Sequence, residues 1–336
     1  MLYLHIKVKK GFAEKTKKYL LKKDALDRTK CVVHKEEYVY FPVKYKIKSI
    51  PFPAEYVKIK ALERKKEYDE LTKPLSARGI NIGYDRLGNI AIIDYMEEKD
   101  AKKLADIIIA SNKSITTVIK KAGPVAGRYR TRKYTFVSGK KTFIAKYKEN
   151  DCTFVFDVRK TFFSSRLSFE RARILKLVKS NENIIVMFAG VGPFAIEIAK
   201  RYSSTQIIAI ELNPNAYRYM KKNIQINRIT NIKPILGDVK KVYVRFKEFA
   251  DRVVMPLPKI STDFLKEAFY TSKNRSKIHI YLFVEREGGI EKAKKLLKNK
   301  AKEYMCRIKI VFIRKVRDYS TSEIEIAVDM IVYKDR

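Results

Sequence analysis

The segment Met187-Phe188-Ala189-Gly190-Val191-Gly192-Pro193-Phe194 sets two glycines between an apolar run and an amphipathic one. Glycines there let the backbone approach a ligand closely, and the start of a following helix offers it free N–H groups. Pro193 suits the first helical position, where no N–H is needed. Glycine is scarce, 12 in 336 residues, against a usual ~7%, so each retained glycine has a backbone task. Glu211 follows Gly192 by 19 residues, and in doubly wound sheets an acid at that strand end binds ribose hydroxyls. Asn213-Pro214 then caps the next helix. Gly237-Asp238 closes a third strand, where a carboxylate can reach an adenine amino group. Together these residues imply an adenosine-bearing ligand. Because Gly190-Val-Gly192-Pro-Phe-Ala195 also fits G-x-G-x-x-A, the spacing alone does not separate a nicotinamide dinucleotide from S-adenosylmethionine.

A second constellation is Arg128-Tyr-Arg130-Thr-Arg132-Lys-Tyr134, which alternates guanidinium groups with rings. Arginine grips phosphate as a bidentate fork, and tyrosine stacks on unpaired bases. It lies in a stretch, 107–148, that holds eleven Lys and Arg and no acid. The whole chain carries 74 basic and 37 acidic residues, net +37. Residues 1–150 hold 36 and 17 of these, so the charge is a property of the whole body rather than a tail. With 46% hydrophobic residues the chain is no disordered polycation, and its expected partner is a large polyanion. Three dispersed cysteines and three histidines favour neither a disulfide framework nor a zinc site, so no metal is expected. The apolar runs are far shorter than the ~20 residues of a membrane span, and the first residues lack a signal-peptide pattern. A cytoplasmic location and no membrane contact are the expectations.

Positioning these residues takes a particular set of elements. The N-terminus reads as a small α/β unit: strands at Leu2–Lys9, Tyr38–Val43 and Tyr56–Lys60, and a helix at Gly11–Lys23. Residues 61–73 read as a charged linker helix. A second unit has a strand at Asn89–Asp94, a helix at Lys99–Ala110, the acid-free segment, and strands at Lys141–Lys148 and Thr153–Val158. From Leu167 strands and helices alternate: helix Leu167–Val178, strand Asn183–Met187, helix Pro193–Arg201, strand Gln206–Ile210, helix Pro214–Ile226, strand Lys233–Leu236. Strands Arg252–Val254 and Ile278–Val284, helices Ser261–Tyr270 and Ile290–Lys298, and a closing pair Ile308–Arg314 and Ser322–Val332 follow. Alternation of this kind predicts a Rossmann-like, mostly parallel α/β sheet with helices on both faces and an antiparallel hairpin at one end.

Phe163-Ser-Ser-Arg166-Leu-Ser-Phe-Glu170-Arg171-Ala-Arg173, with Met187–Phe194 and Glu211-Leu212-Asn213-Pro214, resembles the archaeal tRNA (guanine37-N1)-methyltransferases. The likeness covers the chain from about residue 155 and reaches upstream to Tyr84–Gly88 and Gly127–Gly139; it is faint in the first 60 residues. It implies a class I S-adenosylmethionine-dependent methyltransferase domain preceded by two smaller α/β RNA-binding domains. The boundaries expected are 1–60 for a tRNA-anchoring domain, 61–77 for a linker, 78–158 for a basic RNA-binding domain and 159–336 for catalysis. S-adenosylmethionine is the cofactor implied, tRNA the partner (anticodon loop and outer corner), and the protein is expected to be a monomer. Guanine N1 carries a proton that must leave before methyl transfer, and a cation stabilises the charge that develops on O6. The resemblance gives Glu170 as general base and Arg130 or Arg132 as the oxyanion support; by its residues alone, Glu170 also fits an ion-paired helix position. The cofactor set comprises Phe188 through Phe194 with Glu211, Leu212, Asp238 and Val239. The substrate set comprises Arg128, Tyr134, Arg166, Arg171, Pro256, Leu257 and Pro258, with Tyr319 a further candidate for the pocket wall.

Two departures bear on specificity. The family's first motif strand usually ends in an acid where this chain has Val186, and its Asn-Leu-Pro is here Pro256-Leu257-Pro258. Proline offers neither a side-chain amide nor an N–H, so shape and stacking must replace that hydrogen bond. One archaeal branch departs at the same motif and methylates carbon 7 of the wyosine intermediate 4-demethylwyosine, sometimes besides guanine N1. The expected target is therefore guanosine N1, that carbon, or both. The alternatives are a wyosine-pathway aminocarboxypropyltransferase on the same fold, a nicotinamide-dependent oxidoreductase, and a non-catalytic RNA-binding protein.

Overall fold

The computed structural model describes residues 2–27, 29–47, 49–60 and 68–334. These form two compact units, Met1–Gly79 and Ile80–Arg336.

In the first unit, β1 (Leu2–Lys9) is followed by α1 (Ala13–Lys22), β2 (Val33–Lys35), β3 (Tyr38–Pro42) and β4 (Glu55–Lys60). The four strands are antiparallel in the order β2-β3-β1-β4. The alternation in β1 turns Ile6 and Val8 inward against Val39 and Phe41, and α1 adds Leu20 to the same core. The linker helix expected at 61–73 begins on residues 61–67, outside the described residues; α2 spans Tyr68–Ser76.

The second unit opens with β5 (Tyr84–Leu87), β6 (Ile90–Ile93), α3 (Glu98–Ser111), β7 (Thr117–Ala126) and β8 (Thr131–Gly139). They make a four-stranded sheet, β5-β6-β7-β8, covered by α3 through Ala101, Leu104, Ala105 and Ile108. The middle of the acid-free segment, 117–139, to which sequence periodicity assigns no element, is a long hairpin with Gly127–Arg130 at its turn. Its pattern is masked because only the β7 end of the hairpin is deeply buried; the rest has no apolar face to alternate.

A two-stranded ribbon follows, β9 (Ile144–Glu149) and β10 (Cys152–Asp157). At Gly88 a Cβ would lie 1.8 Å from the Lys146 carbonyl oxygen, so only glycine lets the β5–β6 turn rest on β9.

The rest is one seven-stranded sheet. It is built from α4 (Ser168–Leu177), β11 (Asn183–Met187), α5 (Pro193–Arg201), β12 (Gln206–Glu211), α6 (Pro214–Ile226), β13 (Ile232–Leu236) and α7 (Val239–Val242). Then come β14 (Ala250–Met255), α8 (Leu265–Thr271), β15 (Ser272–Glu285), α9 (Gly289–Glu303), β16 (Cys306–Asp318) and β17 (Glu323–Lys334). The order is β13-β12-β11-β14-β15-β17-β16, parallel except for β17, which runs antiparallel to both neighbours. Strands β11 and β14 are buried throughout their apolar runs, as a parallel sheet covered on both faces requires. Buried Asn223 of α6 and Asn227, which caps its C-terminus, bind the backbone of β10 at Val155 and Thr153, fixing the ribbon to the helices of the seven-stranded sheet.

Candidate active site

The strand order reverses between β11 and β14, and the crevice beyond the C-terminal ends of the strands there is where open α/β sheets bind ligands. Phe188 leaves β11 with φ +56°, Gly190 has φ +59° and Gly192, the N-cap of α5, has φ +92°. A Cβ on Gly192 would meet the side chains of Ile196 at 2.9 Å and Met220 at 3.0 Å, and its φ is one that residues with a side chain rarely adopt. The turn is fixed by Glu211: one carboxylate oxygen accepts from Gly190 N at 2.7 Å, the other from Asn213 N at 2.7 Å. Burial pushes the Glu211 carboxyl up, against the pull of those backbone N–H groups. Asn213 in turn caps α6 through Asn215 N at 2.9 Å and donates to the Lys160 carbonyl.

This turn bounds a cleft of about 310 Å³ whose wall includes Phe188, Gly190, Glu211, Leu212, Asp238 and Val239. Ala189, Val191 and Phe194 are buried beneath it, and Pro193 starts α5. An adenosine fits these residues: apolar Phe188, Leu212, Val239, Ile260 and Phe264 for the ring, and carboxylates at the ends of two successive strands for hydroxyl and amino groups. Glu211 keeps accepting lone pairs for ribose after holding the turn. Tyr129, Lys240, Ile260 and Phe264 also line the cleft; Tyr129 belongs to the Arg128–Tyr134 segment, while no motif marks Lys240, Ile260 and Phe264 in the sequence.

A second cleft, of about 480 Å³, adjoins the first. Arg130, Phe162, Pro256 and Leu257 line both, so the two share a wall. Its other residues include Asp85, Arg132, Tyr134, Arg166, Pro258, Phe283, Arg317, Tyr319 and Glu325. The Nε atoms of Arg130 and Arg132 are buried without a hydrogen-bond partner, an unmet donor pair that an anionic oxygen would satisfy. Arg166 is held by Asp85 at 2.8 Å. Burial raises the Tyr134 phenol, and Tyr319 stacks on Phe283 with centroids 3.9 Å apart.

Three expected residues lie elsewhere. Arg128, exposed by 65%, reaches from the β7–β8 turn to Asp238 at 3.2 Å, at the first cleft and not among the residues of the second. Arg171 is 2% exposed and forks onto Glu149 at 2.6 and 2.8 Å, with a third bond to the Ser164 carbonyl, so its guanidinium is consumed in the interior. Glu170, 1% exposed, accepts from Arg173 Nε at 2.9 Å and Tyr281 Oη at 3.0 Å; its Oε1 lies 3.4 Å from Arg314 without a hydrogen bond. It lines neither cleft.

Behind Glu170 runs a buried polar chain. Arg173 binds Asp329, Asp329 binds His279 Nδ1 at 2.7 Å, and Arg252 contacts His279 and forks onto Glu182. His279 is buried within this chain. Burial, with Arg252 and Arg173 nearby, holds its pKa below the usual value, although Asp329 opposes the shift.

The seven-stranded order with its antiparallel β17, together with the switch-point crevice and glycine turn, is that of a class I S-adenosylmethionine-dependent methyltransferase. Residues 145–311 match the model of the TRM5/TYW2 methyltransferase domain, 6–51 that of the tRNA methyltransferase 5 N-terminal domain and 69–142 that of the TYW2 N-terminal domain. The chain belongs to the TRM5/TYW2 methyltransferase family. It is 30% identical to the tRNA (guanine(37)-N(1))-methyltransferase Trm5b of Pyrococcus abyssi over 98% of this chain and 99% of that one; the crystal structure superposes with a TM-score of 0.73. The tRNA (guanine(37)-N(1))/4-demethylwyosine(37)-methyltransferase Taw22 of Nanoarchaeum equitans is 30% identical over 64% of this chain and 89% of its own. The complex of aTrm5 with tRNALeu is 29% identical, TM-score 0.71, covering 98% of this chain and 99% of that chain.

Proposed function

We propose that the chain is a tRNA methyltransferase that moves a methyl group from S-adenosylmethionine to the purine at position 37. The target is N1 of guanosine, carbon 7 of 4-demethylwyosine, or both. The observation that carries this reading is the shared wall: a cleft fit for adenosine opens through Arg130, Phe162, Pro256 and Leu257 onto a larger cleft fit for a base. When bound, S-adenosylmethionine supplies an electrophilic methyl on a sulfonium. The chain's own work is to orient and to exclude water. Glu211 and Asp238 hold the adenosine, while Arg128 bridges the β7–β8 hairpin to that cleft and gives up its contact with Asp238 when the adenine amino group takes it. Arg130 and Arg132 turn their unmet N–H groups to the purine O6. Phe283, Tyr319 and the Pro256-Leu257-Pro258 wall clasp the ring, so a polycyclic base is accommodated by stacking rather than by an amide. The resemblance gives Glu170 as proton acceptor.

The tRNA partner is supported by the family and by the net +37 charge. Residues 1–60 are read as the anchoring domain, 61–77 as a linker, 78–158 as the basic domain and 159–336 as the catalytic domain, in a cytoplasmic monomer. No helix among the described residues is long and apolar enough to cross a membrane. Incubation with an unmodified transcript and with tRNA carrying 4-demethylwyosine tests the reading. A mass gain of one methyl at nucleoside 37 in either supports it, and no gain in both overturns it.

A further inference from the structure

Behind the wall of the base cleft lies a buried cluster of ionisable side chains that lines neither cleft. Phe162, Phe163, Ser164 and Arg166 form part of that wall, and their segment leads directly into α4, which carries Glu170 in its first turn. Arg171 anchors this stretch from behind. Its guanidinium donates to the Ser164 carbonyl at 3.1 Å and lies 5.1 Å from the centre of the Phe163 ring. Glu149, at the end of β9, forks onto Arg171 and accepts a third bond from Tyr147 Oη at 2.6 Å, and the Tyr147 ring meets Phe163 edge-on. One carboxylate thus already balances one guanidinium. A second carboxyl, Glu197 of α5, is nevertheless buried beside them. Its Oε2 accepts from Asn150 Nδ2 at 2.7 Å, whereas its Oε1 lies 3.4 Å from Arg171 Nε without a hydrogen-bond partner. The Glu197 and Glu149 carboxyls are within hydrogen-bonding reach of each other.

We propose that Glu197 is a positioning residue of the base cleft that works as a neutral acid: it donates the hydrogen on Oε1 to Glu149, so that the two carboxyls share one proton and present Arg171 with a single negative charge. The proposal rests on the methyltransferase reading above, because the wall it steadies is that of the cleft for the target base. Two neighbouring buried carboxyls do not both ionise at neutral pH. Two N–H groups of Arg171 and the Tyr147 hydroxyl converge on Glu149, whereas Glu197 receives only the Asn150 amide. The charge therefore settles on Glu149 and the proton on Glu197. Burial raises the Glu197 carboxyl and the Glu149 carboxylate adds to this, against the pull of Arg171 and Asn150. Burial acts on Glu149 too, but Arg171 and Tyr147 hold it below its usual value. The remaining titratable groups at this point are Cys152 of β10, which Glu197 faces, with Lys200 and Asp151 beyond it. A second negative charge here would draw Arg171 off Ser164 and Phe163, and the cleft wall with them.

The test compares the wild type, E197Q and E149Q by denaturant unfolding from about pH 5 to about pH 9. Single-turnover methylation of tRNA with guanosine at position 37 is followed from neutral to alkaline pH. Glutamine keeps the shape of the neutral acid and offers Glu149 an N–H in place of the O–H, so E197Q should methylate within about two-fold of the wild type at neutral pH. A raised folded-state pKa favours folding fully below the ordinary glutamate value of 4.5, and that advantage is lost as pH rises through the folded value. E197Q has no such group. Its unfolding midpoint should therefore climb relative to the wild type as pH rises, and the difference should level off once Glu197 ionises in the folded wild type. The ratio of the E197Q rate to the wild-type rate should likewise rise at alkaline pH. E149Q removes the charge that holds Arg171 and should lose about ten-fold or more in methylation rate, with S-adenosylmethionine affinity unchanged. A midpoint difference between E197Q and the wild type that does not vary with pH, an E197Q about ten-fold slower than the wild type at neutral pH, or an E149Q with the wild-type rate overturns the proposal alone. A wild type that methylates no position-37 purine overturns the functional reading and the positioning role with it.

Discussion

Asp329→Asn is the substitution that most directly probes the buried chain behind the site. Asp329 lies between the Arg173 guanidinium, which it contacts twice, and His279 Nδ1 at 2.7 Å. These partners hold its carboxyl down at about 2 against an ordinary 3.8, although burial pushes the other way. A depression of that size corresponds to roughly 2–3 kcal/mol of stabilisation from this ionised group. Asparagine removes the charge but not the burial. Arg173 is left with Glu170 as its remaining carboxylate, and breaking one side of a buried pair costs about 3–5 kcal/mol. The folded-state pKa is depressed, so the contribution is fully present above the unfolded value near 3.8 and is lost as pH falls toward 2. Urea unfolding of the wild type and the variant between pH 7 and pH 3 measures it. The stability gap should be constant from pH 7 to about 5 and should narrow as the pH falls below about 4. A D329N midpoint equal to the wild type at pH 7, or a gap that widens on acidification, would refute this account of the chain.

Two further outcomes follow from other parts of the structure. Gly192→Ala forces an L-residue into φ +92° and sets its Cβ at 2.9 Å from Ile196 and 3.0 Å from Met220. The cost should be about 2–5 kcal/mol from backbone strain plus overpacking, with weakened S-adenosylmethionine binding, read by denaturation and by titration calorimetry. Cys152 is buried and its thiol is pushed up to about 12 by burial and the nearby Glu197, and Cys306 is also buried, whereas Cys31 is only half-buried. Iodoacetamide at neutral pH should therefore label Cys31 first in the folded protein, with the other two reacting only after denaturation, as peptide mass mapping would record.

The catalytic domain was legible in the sequence because its signals are local. Helices Pro193–Arg201 and Pro214–Ile226 and strand Asn183–Met187 fall where proline, capping asparagine and apolar runs set them. The glycine turn, Glu211 and Asp238 were legible for the same reason, since each ends a strand and faces the crevice by topology alone. The β7–β8 hairpin was not. Most of it is solvated, and its lysines and arginines follow no period-two pattern. Nor could sequence show that Arg171 turns inward to Glu149 or that Arg128 reaches Asp238, 110 residues away. Glu325 drew no notice because β17 also carries Glu323 and Asp329; only its pairing with Phe283 and Arg317 places it in the cleft wall.

The central claim is methyl transfer from S-adenosylmethionine to the purine at position 37. It is tested most directly with cofactor carrying an isotopic label in the methyl group, followed by mass analysis of the digested tRNA and of the spent cofactor. The account predicts the label in nucleoside 37, at guanosine N1 or carbon 7 of 4-demethylwyosine, with one S-adenosylhomocysteine formed per labelled nucleoside. An unlabelled nucleoside 37, or 5′-methylthioadenosine accompanied by an aminocarboxypropyl gain on the base, would contradict it.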